Sequence, residues 1–130
     1  MNADLTLIFA YIIFIWMVVL HTFEEISHGI MELELGKVKL TRNKYLFAAS
    51  AISTLNLGTL VLLILGIPAG YYLALFTSAV IGILQAVVHS VGYFREGRKT
   101  QGLGVGFYSS IPLAIVGLIV FLQIIKIIYV

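Results

Sequence analysis

Cysteine is absent from this chain of 130 residues, and only 11% of it is charged. Without a thiol there is no disulfide framework, no thiolate metal site, no cysteine nucleophile and no palmitoylation site, and the redox compartment is left open. The shortage of charge excludes more. A soluble domain carries about 25% charged and about 45–50% apolar residues, whereas 61% of this chain is apolar. A water-soluble globule of this length has too few charged groups to clothe so much Leu, Ile, Val and Phe. The 8 Lys and Arg against 6 Asp and Glu give a net +2, too weakly basic for a nucleic-acid partner. Nothing in the sequence indicates an organic cofactor.

What the chain does have is four long apolar stretches. A bilayer-crossing helix needs about 20 mostly apolar residues, because it rises about 1.5 Å per residue through a hydrocarbon core about 30 Å thick. Residues 5–28, 45–66, 69–94 and 105–129 meet that length. They predict an all-α integral membrane protein, a single domain over 1–130, with four transmembrane helices in an antiparallel bundle and little mass outside the bilayer. The first span has only Asp4 ahead of it and no small-residue cleavage site behind it, so it is read as a retained span rather than a signal peptide. Gly66, Pro68 and Gly70 mark a tight, uncharged turn that makes spans two and three a hairpin.

Cations set the expected orientation. Lys37, Lys39, Arg42 and Lys44 lie between spans one and two, and Arg95, Arg98 and Lys99 between spans three and four; only Lys126 lies elsewhere. The positive-inside bias places loops 29–44 and 95–104 in the cytoplasm and both termini outside, N-out/C-out. Gly102, Gly106, Ser110 and Ala114 form a stripe of small residues that admits another helix closely, from this chain or a second copy. Pro112 is expected to bend the fourth span.

The polar residues gather in one segment, His21-Thr22-Phe23-Glu24-Glu25-Ile26-Ser27-His28. At about 100° per residue, positions 21, 24, 25 and 28 share a helix face, and Glu32 joins the stripe if the helix continues. His21 falls roughly 10 Å inside a boundary near His28. A charge that deep costs at least about 2.5–3.5 kcal/mol, so the glutamates require a proton, a histidine or a metal as neutralising partner. On the third span Ser78, Gly82, Gln85, His89, Gly92 and Glu96 follow helical spacing. His89 lies about 9 Å inside Arg95, at the level of the first cluster. Asn56, with Ser53 a turn before it, lies deeper on span two, nearer the level of Gln85.

His21-Thr22-Phe23-Glu24-Glu25 resembles the defining motif of the HXXEE membrane-protein family, small bacterial and archaeal proteins with several transmembrane helices. That family also carries an asparagine and a further histidine, which Asn56 and His89 resemble. The resemblance implies a site but no activity, the family being suspected of enzymatic function without an assigned reaction.

Three chemistries fit these residues. His21, Glu25, His28 and His89 offer three nitrogens and an oxygen, a set suited to a divalent Zn, Fe or Mn ion. Glu24 would then serve as general base or second ligand, and Asn56 or Gln85 would orient the substrate. Without a metal, carboxylates and imidazoles in low dielectric can divide the roles of acid and base, as an isomerase of a lipid-like substrate requires. Alternatively, intramembrane His and Glu residues serve proton-coupled or metal-ion transport, for which four short spans need a homodimer. The expected function is thus a small membrane-embedded enzyme, its cluster near the cytoplasmic face, acting on a lipid-like or other small molecule. Against these stand plainer roles. His28 suits an interfacial helix end, Glu32 and Glu34 suit loop charges balancing Lys37 and Lys39, and Asn56 suits interhelical glue. Tyr71, Tyr72, Tyr93 and Tyr129 suit belt aromatics at the membrane surface, and Trp16 suits a lipid-facing or packing position.

Overall fold

A computed structural model describes residues 4–29, 34–35, 38–97 and 102–129. Glu32, Lys37, Arg98 and Lys99 lie outside them. Four helices are long and apolar enough to cross a membrane: α1 (Leu5–Ser27), α2 (Arg42–Ile64), α3 (Pro68–Glu96) and α4 (Phe107–Tyr129). The fold is the expected all-α four-helix bundle, with helix ends within three residues of those read from the sequence. Two strands of two residues each, β1 (Glu34–Leu35) and β2 (Val38–Lys39), pair antiparallel between α1 and α2, with Glu34 opposite Lys39.

Local chemistry explains the boundaries. The Asp4 carboxylate accepts from the backbone N–H of Thr6 at 2.9 Å and caps α1, while Thr41 occupies the N-cap of α2. These side chains satisfy donors that the first helical turn leaves unpaired. Pro68 opens α3, where its missing N–H costs nothing. Inside α3 the stretch Ser78–Leu84 widens into a π-helical turn, and the Gln85 N–H reaches back to the Val80 carbonyl. Nothing in the hydrophobic period announces this irregularity. Helix α4 runs unbroken through Pro112.

The bundle buries one stripe of each helix and turns the rest outward. Leu7, Tyr11, Phe14 and Val18 of α1 meet Ala74 and Ile81 of α3 and Leu113, Val120 and Ile124 of α4. Helices α3 and α4 cross where a Cβ on Gly117 would lie 3.1 Å from the Gly82 Cα, so backbone meets backbone there. Of the sequence stripe, Gly102, Gly106 and Ser110 are buried within this chain and Ala114 is half-buried. Phe9, Trp16, Phe23, Phe47 and Phe94 are all exposed. So wide an apolar exterior suits lipid as the surrounding medium. Tyr72 and Tyr129 are exposed as belt residues would be, but Tyr71 is buried in the core against the α2–α3 hairpin, which corrects its expected place.

Midway along the bundle lies a polar knot. The Tyr11 hydroxyl donates to Asn56 Oδ1 at 2.8 Å and shares a hydrogen bond of 2.9 Å with Thr77 Oγ1. Asn56 Nδ2 donates to the Ile52 carbonyl, so its amide is held on both sides. Interhelical hydrogen bonds of this kind contribute about 0.6 kcal/mol each on average.

Candidate metal centre

His21 and Glu25 stand one turn apart on the inner face of α1, and His89 reaches the same point from α3. All three are buried, at 2%, 8% and 4% exposure. Glu25 Oε1 lies 3.5 Å from His21 Nε2 and 3.3 Å from His89 Nε2. The two imidazoles meet edge to face, with ring centres 4.8 Å apart. One nitrogen from each histidine and one carboxylate oxygen lie within 4.8 Å of one another, so the group can hold a metal ion.

Each of the three is fixed from behind. The Leu103 carbonyl lies 2.8 Å from His89 Nδ1, and because a carbonyl only accepts, Nδ1 carries the proton. Ser109 Oγ lies 2.8 Å from His21 Nδ1 and gives its own hydrogen to the Gly106 carbonyl, so His21 Nδ1 is the donor there. Gln85 Nε2 sits 2.7 Å from His21 Nε2, where the amide N–H donates to the ring lone pair. The Tyr45 hydroxyl donates to Glu25 Oε2 at 2.8 Å. Tautomers assigned in this way follow from the partners. They leave the His89 Nε2 lone pair facing Glu25 Oε1, while that of His21 Nε2 takes the Gln85 N–H with the same oxygen 3.5 Å away.

The His89–Glu25 contact is repulsive unless a metal ion or a proton lies between the two atoms. A charge-assisted N–H···O bond is typically about 2.7–2.9 Å long. A tetrahedral zinc ion, with bonds of about 2.0–2.2 Å, sets its ligand atoms about 3.3–3.5 Å apart. The two Glu25–imidazole separations match the second figure, while the three-atom group as a whole spans up to 4.8 Å. Imidazoles whose far nitrogen is held by a carbonyl or hydroxyl are also the usual form of histidine ligands.

Not every expected residue joins. His28 caps α1, its Nδ1 2.8 Å from the Glu24 carbonyl and 3.0 Å from Ser27 Oγ, which corrects its place as fourth ligand. A histidine at a helix end finds unpaired carbonyls closer than a site two turns away. Glu24 turns toward α4, where its Oε2 accepts from the Ser109 N–H at 2.9 Å. A carboxylate is favoured at that helix N-terminus, and it holds the backbone of the serine behind His21. Asn56 belongs to the Tyr11–Thr77 knot, whereas Gln85, the other candidate orienting residue, lies beside His21. We expect His28→Ala and Asn56→Leu to keep metal stoichiometry within error of wild type, measured by elemental analysis of the purified proteins.

Tyr45, Ser109 and Gly106 were not legible as site residues. Tyr45 sits one turn inside α2 among polar neighbours and looks like a belt residue. Gly106 has φ +89°, and a Cβ there would lie 2.7 Å from His21 Cε1; it forms the floor beneath both imidazoles. No family model matches the chain, nor does any curated protein or solved structure.

Proposed function

We propose that His21, Glu25 and His89 form a divalent metal centre, Zn, Fe or Mn, in a small membrane-embedded enzyme, and that this chain belongs with the HXXEE proteins. Three protein ligands leave room for one more, the pattern of catalytic rather than structural sites. When bound, the ion would polarise a substrate oxygen or activate water. The protein's own part is to hold the two imidazoles by Leu103 and Ser109, to hold Glu25 by Tyr45, and to present the Gln85 amide to whatever enters. By the distribution of cations, loops 29–44 and 95–104 face the cytoplasm and the centre lies about 9–10 Å inside the ends of α1 and α3 on that side.

The single observation behind this reading is the convergence of one nitrogen each from buried His21 and His89 and one oxygen of buried Glu25 within 4.8 Å of one another. Protein purified without chelators from metal-supplemented cells should carry about one equivalent of metal per chain. His21→Ala and His89→Ala should each lower it below about a tenth. A blank for zinc, iron and manganese in folded wild-type protein would refute the metal centre.

A metal-free acid–base isomerase draws on the same geometry, since a proton on His89 Nε2 would also satisfy Glu25. Transport by a homodimer is less well supported. Between the His21 cluster and the Tyr11 knot, Phe14, Val18 and Ile81 are buried and apolar, and the buried serines Ser78 and Ser110 give their hydroxyls to carbonyls of their own helices, which leaves little polar path. Liposomes should accordingly show no proton or metal flux dependent on Glu25; a flux abolished by Glu25→Gln would favour the transporter.

A further inference from the structure

A cavity of about 190 Å³ lies against two of the three ligands, with His21 and Glu25 in its wall. Val18 of α1, Ala49 and Ile52 of α2 and Ile81 of α3 give the rest of that wall an apolar character. Pockets for drug-sized molecules measure about 300–1,000 Å³, so this one takes something smaller. An apolar cavity of about 150 Å³ holds benzene, which sets the scale of the body that fits.

Three further side chains in the wall, Thr22, Tyr45 and Gln85, carry polar atoms. Two of them have already placed their hydrogens. The Thr22 hydroxyl donates to the Val18 carbonyl at 2.9 Å, one turn back in its own helix, and the Tyr45 hydroxyl donates to Glu25 Oε2. Gln85 differs. Its Nε2 lies 2.7 Å from His21 Nε2 and donates to the ring lone pair, and a metal ion on that nitrogen takes the same lone pair, because the nitrogen has only one. Metal binding therefore releases the Gln85 N–H beside the ion. A donor without a partner in a low-dielectric setting is costly, so the loaded centre calls for an acceptor at that point. The backbone fixes the residue there: Gln85 closes the π-helical turn of α3, its N–H bonded to the Val80 carbonyl, and such turns are frequent at functional sites.

We infer that the substrate is a compact molecule with a carbonyl-type oxygen and an apolar body about the size of a benzene ring. An oxygen of that kind has two lone pairs; one binds the ion and the other accepts from Gln85 Nε2. The body lies beside Val18, Ala49, Ile52 and Ile81. Gln85 is thus a substrate contact and not a metal ligand. This inference rests on the metal centre proposed above.

Cobalt-substituted protein in detergent provides the test, with benzohydroxamic acid and 1-naphthohydroxamic acid as probes. Both carry the same chelating head, and transfer from water alone favours the larger, more apolar ring system. The cavity should reverse that order. Benzohydroxamic acid should perturb the visible Co²⁺ spectrum at a concentration at least tenfold lower than the naphthyl compound. Gln85→Met keeps the side-chain length and removes the donor. It should weaken the benzohydroxamate response at least tenfold while Co²⁺ content stays constant, and Gln85→Leu provides the same test if that variant fails to fold. Naphthyl binding as tight as phenyl, or a benzohydroxamate response unchanged in a folded Gln85 variant, would overturn this inference and leave the metal centre standing. Loss of Co²⁺ from the Gln85 variants would make Gln85 part of the ligand set and overturn the substrate contact. Failure of wild type to hold Co²⁺ would overturn the metal centre and this inference with it.

Discussion

Glu25→Gln is expected to abolish metal binding while leaving the metal-free protein at least as stable as wild type. The substitution keeps shape and volume but removes the only carboxylate in the ligand group. Two neutral imidazoles and an amide would leave a divalent ion uncompensated inside the bilayer. Loss of even a supporting residue behind a ligand typically costs 10–100-fold in affinity, so loss of the ligand itself should exceed about 100-fold. Stability should move differently. In the metal-free protein Glu25 is a buried charge, with an intrinsic insertion cost of about 2.5–3.5 kcal/mol, which glutamine does not carry. Were Glu25 simply half of a structural ion pair, breaking it would destabilise by about 3–5 kcal/mol. Thermal unfolding of both proteins in detergent, with and without added metal, separates these outcomes. Metal at 100 times its Kd should stabilise wild type by about 2.7 kcal/mol, and the variant not at all. A variant that melts well below metal-free wild type would favour the structural ion pair.

Gly106→Ala should have the second largest effect. Two costs coincide at this residue. The backbone stands at φ +89°, where a side chain is strained by about 1–2 kcal/mol, and the added methyl would press on His21 Cε1 from 2.7 Å. The imidazole must shift, and with it the nitrogen that faces Glu25. Metal affinity should fall at least tenfold and the melting temperature should drop as well. Gly97 is the matched control, with φ +71° and no atom within 4 Å of an added Cβ. Gly97→Ala should lower stability through strain but retain a full complement of metal. If both variants bind metal normally, Gly106 is a turn residue and not the floor of the site.

The sequence carried the architecture well because a membrane imposes one strong signal, apolar length, and the four spans have it. The shared face of His21 and Glu25 was legible for a similar reason, since helical spacing converts directly into direction. His89 could be matched to them by depth alone. The site residues that stand apart from the group do so for one kind of reason. His28, Glu24 and Asn56 have the right chemistry on nearly the right face, but each finds a nearer partner: the Glu24 carbonyl, the N-terminus of α4 and the Tyr11 hydroxyl. Periodicity tells which side of a helix a group occupies, not which neighbour competes for it. The backbone contributions were invisible for a different reason. The Leu103 carbonyl has no letter in a sequence, and Gly106 reads as a packing residue until the imidazoles above it are seen.

The ligands come from the first and third helices, and this has a consequence for biogenesis. Translation at about 5–20 residues per second takes about 3–13 s to extend from Glu25 to His89. Throughout that interval the nascent first helix bears Glu25 without the His89 it meets in the fold, and Glu24 waits longer still for the Ser109 N–H of α4. Either the insertion machinery shelters that helix until its partners emerge, or the carboxyls enter protonated and release their protons when the later helices dock.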